Sequence, residues 1–314
     1  QFLSLNPEIP PPSSCHLSPV FCILLMPIKL LALDLDGTLL NSEGQISERN
    51  KTAIRKAEDK GVKVTIATGR RFRDARPVAR EAGFNAPILT HNGALIKHAE
   101  TLETFSVDLL DDSAVREILR VGYEYGGNAL VSADPAGKGT LFYDNISDEN
   151  IPLKRYIVWA RHLHGDEAEE AVHHVESLES IVADNDIIHI SFSGNCTAMY
   201  DLQMLLEDEL ADSVNVLATI YPHLDFTLLD ILPPDASKAA GLNKLALAEK
   251  LSHEEIMVVG DNFNDLEMLE YAGTSVVMAN ADRSLLEREE FYTTLGNNED
   301  GVAAAIERFI LAVN

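Results

Sequence analysis

Cysteine is scarce in this chain, and its placement excludes two classes of protein at once. The three cysteines, Cys15, Cys22 and Cys196, have neither the paired spacing of a zinc site nor that of a disulfide framework. A reducing, cytoplasmic setting is therefore the expectation. Basic residues are few as well: 25 Lys and Arg stand against 50 Asp and Glu, giving a formal net charge of −25 and a pI near 4.6. Binding a polyanion requires Lys and Arg to neutralise phosphates and release counterions, so nucleic acid is excluded as a partner. Long apolar runs are missing. The most membrane-like stretch, residues 20–26, is far shorter than the roughly 20 residues that span a bilayer, so neither a transmembrane helix nor a membrane partner is expected. No internal repeat is present, and biased composition is confined to residues 1–25. That segment is rich in Pro and Ser and contains no Lys or Arg, so it lacks the basic n-region of a signal peptide and the arginines of a transit peptide. It is expected to be a disordered or non-native extension, with a processed leader as the alternative, and the working domain is expected to begin near Met26.

What remains is an ordinary globular composition, 46% hydrophobic and 24% charged, sufficient for two modest domains. From Met26 short apolar runs alternate with amphipathic stretches, the mark of βαβ units and a parallel sheet. Residues 29–33 read as a buried strand ending at Asp34. Ser47 reads as the N-cap of a helix reaching Lys60 with Ile54 and Ala57 inward. Further strands are predicted at 62–67 and 87–90, with a helix at 72–82 between them. Residues 93–229 mix strand-like pieces (94–96, 104–107, 187–192) with helices (113–125, 195–210), an α+β pattern. The parallel pattern then resumes, with helices at 237–250, 264–271 and 301–311 and strands at 256–259 and 275–278. The fold class is α/β: a doubly wound core, residues 26–92 and 230–314, interrupted by an α+β domain, 93–229.

Three features fall where strands of the parallel pattern end, the rim at which open α/β sheets bind ligands. Asp34-Leu35-Asp36-Gly37-Thr38 places two acids at i and i+2 after a buried strand. Such a pair can hold Mg²⁺, with one member free to attack phosphorus and the other to carry a proton; an ordinary turn is the competing reading. Thr68-Gly69-Arg70 offers a hydroxyl and backbone N–H groups at the start of a helix, suited to phosphate oxygens. Gly260-Asp261-Asn262-Phe263-Asn264-Asp265 spaces two acids four apart, so that Asp261 reaches a metal from the loop while Asp265 supports it from the first helical turn. Taken alone, the last two also read as an ordinary strand-to-helix turn and an Asx-rich turn.

Together these loops resemble the haloacid dehalogenase superfamily of phosphohydrolases. Lys238, opening a predicted helix, supplies that superfamily's remaining motif. The long insertion between Thr68 and Lys238 resembles the arrangement of the type IIB, Cof-like sugar phosphatases. Thr90-His91-Asn92-Gly93-Ala94, Val277-Met278-Ala279-Asn280-Ala281 and Asn298-Glu299-Asp300-Gly301-Val302 add local similarity, and the likeness covers residues 26–314. One departure is Ser237-Lys238-Ala239-Ala240-Gly241, where many relatives place Gly directly after the Lys.

The resemblance implies a Mg²⁺-dependent phosphohydrolase that acts on a small phosphate ester, a sugar phosphate being the family expectation. Asp34 would be the nucleophile and Asp36 the acid and base. Mg²⁺ would be held by Asp34, the Asp36 carbonyl and Asp261, with Asp265 as further ligand or orienter. Thr68, Gly69, Asn264 and Lys238 would bind the phosphoryl group, and Arg70 and Asn92 would lie near the leaving group. A monomer or homodimer is expected. A phosphomutase of the phosphomannomutase type, or an idle binding protein that kept the fold, are the alternatives. The histidines His162, His164, His173, His174 and His189 are expected on the surface or in the core, with the adjacent pair pointing to different sides of a helix. Tyr156 and Trp159 are expected in the core rather than stacked on a sugar.

Overall fold

The computed structural model describes residues 27–210 and 212–312; the predicted extension and the apolar stretch 20–26 lie outside the described residues. Regular structure begins with β1 (Leu30–Leu33), α1 (Glu48–Asp59), β2 (Lys63–Ile66) and α2 (Phe72–Ala82). Next come β3 (Ile88–Thr90), β4 (Leu95–Lys97), β5 (Thr104–Val107), α3 (Asp112–Glu124), β6 (Asn128–Ala133) and β7 (Thr140–Tyr143). They are followed by α4 (Ile151–His164), α5 (Ala168–Ala171), β8 (Val172–His174), β9 (Ile187–Gly194), α6 (Cys196–Glu209), β10 (Asn215–Tyr221) and β11 (Phe226–Leu232). The chain ends with α7 (Lys238–Glu249), β12 (Ile256–Gly260), α8 (Leu266–Tyr271), β13 (Thr274–Val277), α9 (Arg283–Leu286), β14 (Tyr292–Thr293) and α10 (Gly301–Ile306).

The body is a parallel sheet in the order β14-β13-β12-β1-β2. β1 sits between β2 and β12 and is buried on both faces, which is why it reads as an unbroken apolar run. Successive side chains leave a strand on opposite faces. Leu31 and Leu33 therefore join Ile54 of α1 and Val302 and Ile306 of α10 in one cluster. Leu30 and Ala32 join Leu242 and Leu245 of α7 and Met268 of α8 in the other. The Ser47 cap forms as expected, its hydroxyl accepting from the Asn50 N–H.

The strand expected at 87–90 forms as β3 and lies parallel beside the end of β2 through the bridge between Ala67 and Leu89. It also pairs antiparallel with β4, so that β3, β4 and β5 form a three-stranded sheet. One expectation needs correction here: residues beyond 93 still belong to the body's packing, since Leu95 enters one face cluster and Ile96 the other.

The inserted domain is built on a six-stranded sheet, β10-β11-β9-β6-β7-β8, antiparallel except for the β7–β8 pair. α3 and α6 cover one face, where Val115, Ile118, Met199 and Leu202 meet Val131, Ile190, Phe192 and Leu229. On the other face α4 covers only the β6–β8 side, through Leu153, Ile157 and Ala160 against Leu130, Leu141 and Val172. The rest of that face borders a cavity whose other wall is the rim of the parallel sheet. His173 and His174 lie on β8 rather than on a helix and are exposed, while His189 is buried. Among the described residues no helix is long and apolar enough to cross a membrane.

Candidate active site

The loops after β1, β2 and β12 and the start of α7 meet at one end of the parallel sheet. Asp34 follows β1 directly, its N–H donating 2.9 Å to the Val259 carbonyl of β12, which anchors it between strands. The residue is 5% exposed. Lys238, the first residue of α7, enters from below: Nζ lies 2.6 Å from Asp34 Oδ1 and 2.6 Å from Asp265 Oδ1. Asp34, Asp261 and Asp265 each offer a carboxylate oxygen, and these oxygens lie within 4.8 Å of one another. The four segments that the sequence singles out thus converge on one point.

Several of these positions are held by contacts outside the motifs themselves. Gly37, at φ +83°, lets the loop pass so close to Asp261 that any Cβ there would collide with its carboxylate. Thr38, next along, donates its hydroxyl to Asp261 Oδ1 at 2.8 Å. Asp265 has both oxygens engaged: Oδ1 takes Lys238, and Oδ2 accepts the N–H groups of Asp261 at 2.9 Å and Asn262 at 3.1 Å. That arrangement suits an orienting carboxylate better than a ligand.

Thr68 is buried beyond β2, and its hydroxyl accepts from the Arg70 N–H at 3.1 Å. Asn92 packs beside Gly69 and accepts from the Asn264 side-chain amide at 3.3 Å. Asp36 departs from the group: its carboxylate is exposed and receives Arg70 in a two-point contact, Nε at 2.8 Å and Nη2 at 2.6 Å. Arg70, expected near a leaving group, borders the cavity while holding Asp36. Asp34, Asp36, Thr68, Gly69, Arg70, Asn92 and Asn264 all border a cavity of about 600 Å³ between body and inserted domain.

The electrostatics of the cluster are unbalanced. Burial and the neighbouring Asp265 push the Asp34 carboxyl well above its ordinary range, against the pull of Lys238. Burial, opposed by the Thr38 hydroxyl and assisted by Asp265, raises Asp261 to about 6. Among the described residues Asp34, Asp36, Asp261 and Asp265 pair with Lys238 and Arg70 alone, so two negative charges lack a counterpart there. Hard carboxylate oxygens gathered around such a deficit fit a hard divalent cation such as Mg²⁺ rather than zinc.

Some residues of this region carried no signal of their role in the sequence. Asp74 of α2 is buried and accepts four hydrogen bonds: Arg71 Nε at 2.9 Å and Arg71 Nη2 at 2.9 Å, Tyr156 OH at 2.9 Å and His164 Nε2 at 2.8 Å. The latter two come from α4, so this knot ties the body to the inserted domain. Trp159, expected in the core, is 42% exposed and stacks on Tyr156 at the cavity edge. The α4 surface there borders the cavity rather than packing on a second layer.

A parallel α/β sheet whose strand ends carry a buried, acid-rich cleft under an inserted mixed-sheet domain defines a capped hydrolase. The profile of the haloacid dehalogenase-like hydrolases matches residues 31–306, and the chain belongs to that family. It is 30% identical over 295 residues to the 5-amino-6-(5-phospho-D-ribitylamino)uracil phosphatase YwtE of Bacillus subtilis, covering 90% of this chain and 98% of the relative. It is 26% identical over 253 residues to the HMP-PP phosphatase of Serratia proteamaculans, covering 81% and 84%. A haloacid dehalogenase-like hydrolase from Bacteroides thetaiotaomicron superposes with a TM-score of 0.74 at 27% identity, over 90% of this chain and 99% of that one. Family and relatives together place the chain among the phosphatases of the superfamily.

Proposed function

We propose that the chain removes phosphate from a small organic phosphate monoester through an aspartyl-phosphate on Asp34, with Mg²⁺ as cofactor. The observation that carries this is the buried contact between Lys238 and Asp34 at 2.6 Å beside Asp261, at the strand ends of the parallel sheet. In the first displacement an Asp34 oxygen bonds to phosphorus as the ester P–O bond breaks, and Asp36 passes a proton to the departing oxygen. In the second, Asp36 takes a proton from water, whose oxygen bonds to phosphorus as the bond to Asp34 breaks. Splitting the transfer lowers each barrier.

Lys238 balances Asp34 so that an anionic substrate can approach, and with Thr68 and Asn264 it receives the phosphoryl oxygens. Mg²⁺ would be held by Asp34, Asp261 and the Asp36 carbonyl, with Asp265 orienting, and would supply the missing positive charge. Arg70 must release Asp36 for the proton transfers, and its two-point grip sets the resting position of that side chain.

The test is hydrolysis of p-nitrophenyl phosphate with Mg²⁺, followed by acid-quenched labelling of the protein. Activity should vanish with EDTA, and Asp34→Asn should lose both turnover and label. An Asp34→Asn protein retaining activity within about tenfold of the parent would exclude Asp34 as nucleophile. Release of free phosphate, rather than movement of phosphate within the substrate, separates hydrolysis from mutase chemistry.

A further inference from the structure

Two segments that stand out in the sequence, residues 277–281 and 298–302, supply no side chain to the acid cluster. The first leaves β13 and is bonded to the loop after β12 on both sides of Asp261. The Met278 N–H donates to the Gly260 carbonyl at 3.1 Å, and the Asp282 N–H donates to the Asp261 carbonyl at 2.9 Å. Between these contacts the chain turns tightly, the Ala281 N–H reaching the Met278 carbonyl at 2.9 Å, with Asn280 as one of the two residues at the tip.

The Asn280 side chain spans from this turn to two other segments. Its Oδ1 accepts the Asn297 N–H at 2.8 Å, and its Nδ2 donates to the Gly37 carbonyl at 2.8 Å. A backbone N–H only donates and a carbonyl only accepts, so the amide can point one way alone. Asn297 in turn donates its side-chain amide to the Leu40 carbonyl at 2.9 Å. Asn298 clasps Ser42 further along, its Oδ1 accepting from the Ser42 N–H and hydroxyl, both at 2.9 Å.

The residue that Asn280 grips is the one least able to hold itself. Gly37 lies between the Asp36 carbonyl and the Thr38 hydroxyl, and with no Cβ it leaves the dihedrals of that loop loosely defined. The turn at 278–282 therefore touches both loops of the proposed metal site: through its backbone the loop of Asp261, and through Asn280 the loop of Asp36 and Thr38. From this geometry we infer that Asn280 is a positioning residue that sets the gap between these two loops and so preorganises the cation site. The inference rests on the Mg²⁺-dependent phosphatase function proposed above and adds the element that spaces its parts. A mere surface clasp would contribute to stability and leave cation affinity alone; a spacer acts on affinity, because a loop already in place costs the cation no ordering.

The test is calorimetric titration of the substrate-free protein with Mg²⁺, which reads the site without turnover. Asn280 is exposed and joins no core cluster, so Asn280→Ala keeps the fold, checked by urea unfolding. Its Mg²⁺ Kd should rise about threefold to tenfold. Asn298→Ala, which frees the exposed Ser42 clasp, should leave Kd within about twofold of the parent. In a Thr38→Val background Asn280→Ala should shift Kd by less than about twofold, because the hydroxyl that the spacing delivers to Asp261 is already gone. An unchanged Kd in Asn280→Ala, an equal shift in Asn298→Ala, or an undiminished shift in the Thr38→Val background each overturns the inference and leaves the phosphatase function standing. A parent that binds no Mg²⁺ overturns the Mg²⁺-dependent reading itself, and the inference with it.

Discussion

Replacing Asp74 with alanine should destabilise the protein by about 4 kcal/mol, and the reasoning runs through the Arg71 guanidinium. Arg71 is 8% exposed in its side chain and Asp74 3%, so neither charge has water to fall back on. Breaking a buried pair by removing one partner costs about 3–5 kcal/mol, because the remaining charge stays desolvated. Tyr156 OH and His164 Nε2 lose their acceptor in the same step. Burial raises the Asp74 carboxyl, but Arg71, His164 and Tyr156 outweigh burial and hold it below the ordinary carboxylate range. A depressed folded-state value means the contribution is complete above the unfolded value of about 3.9 and is lost as pH falls through the folded one, so the whole effect is present at pH 7. Tyr156→Phe removes one hydroxyl and should cost about 1–1.5 kcal/mol. Urea unfolding at pH 7 reads both as shifts in midpoint at constant slope, and Asp74→Ala should lower Tm by roughly 10 °C. An Asp74→Ala loss below about 1 kcal/mol would refute the picture of an uncompensated Arg71.

Thr38→Val keeps its volume but removes the hydroxyl that holds Asp261, so Mg²⁺ affinity should fall about tenfold to a hundredfold, read from the Mg²⁺ dependence of turnover. Gly37→Ala should abolish activity in a folded protein, since its Cβ would displace the Asp261 carboxylate and its φ of +83° disfavours any side chain; circular dichroism and a turnover assay together check this. Burial, with His189 and Arg71 nearby, pushes His91 well below the ordinary histidine range. Its contribution to stability is full above about 6.5 and is lost as pH falls below that. His91→Gln should therefore reduce the drop in unfolding free energy between pH 7 and pH 5, measured in urea.

Much of the body was legible because a strand buried on both faces leaves an apolar run and a capped helix leaves its polar punctuation. The strand before Asp34, the cap at Ser47 and the helix Phe72–Ala82 follow from such local rules. That β3 also pairs antiparallel with β4 was not legible, because three residues say nothing about the direction of a second neighbour. The site residues that could be named lie in short motifs after strands. The roles that could not be assigned depend on contacts between distant segments: Thr38 with Asp261, Asp74 with Tyr156, and His189 with Asp230 across paired strands. Arg70 was found by its motif, yet its attachment to Asp36 depends on how far the two loops approach, which spacing does not encode.

Lys238 and Asp34 stand 204 positions apart, and Thr38 and Asp261 stand 223 apart. During synthesis β1 precedes the inserted domain, but the neighbour that covers one of its edges, β12, is made only after the whole of that domain. Until then an apolar strand edge stands open on the growing chain, the kind of surface that pairs with other chains. The inserted domain can complete its own sheet first, so translation leaves the Asp34 carboxylate without its lysine until the body closes last. Ribosome-bound chains halted before residue 256 should therefore be the aggregation-prone species.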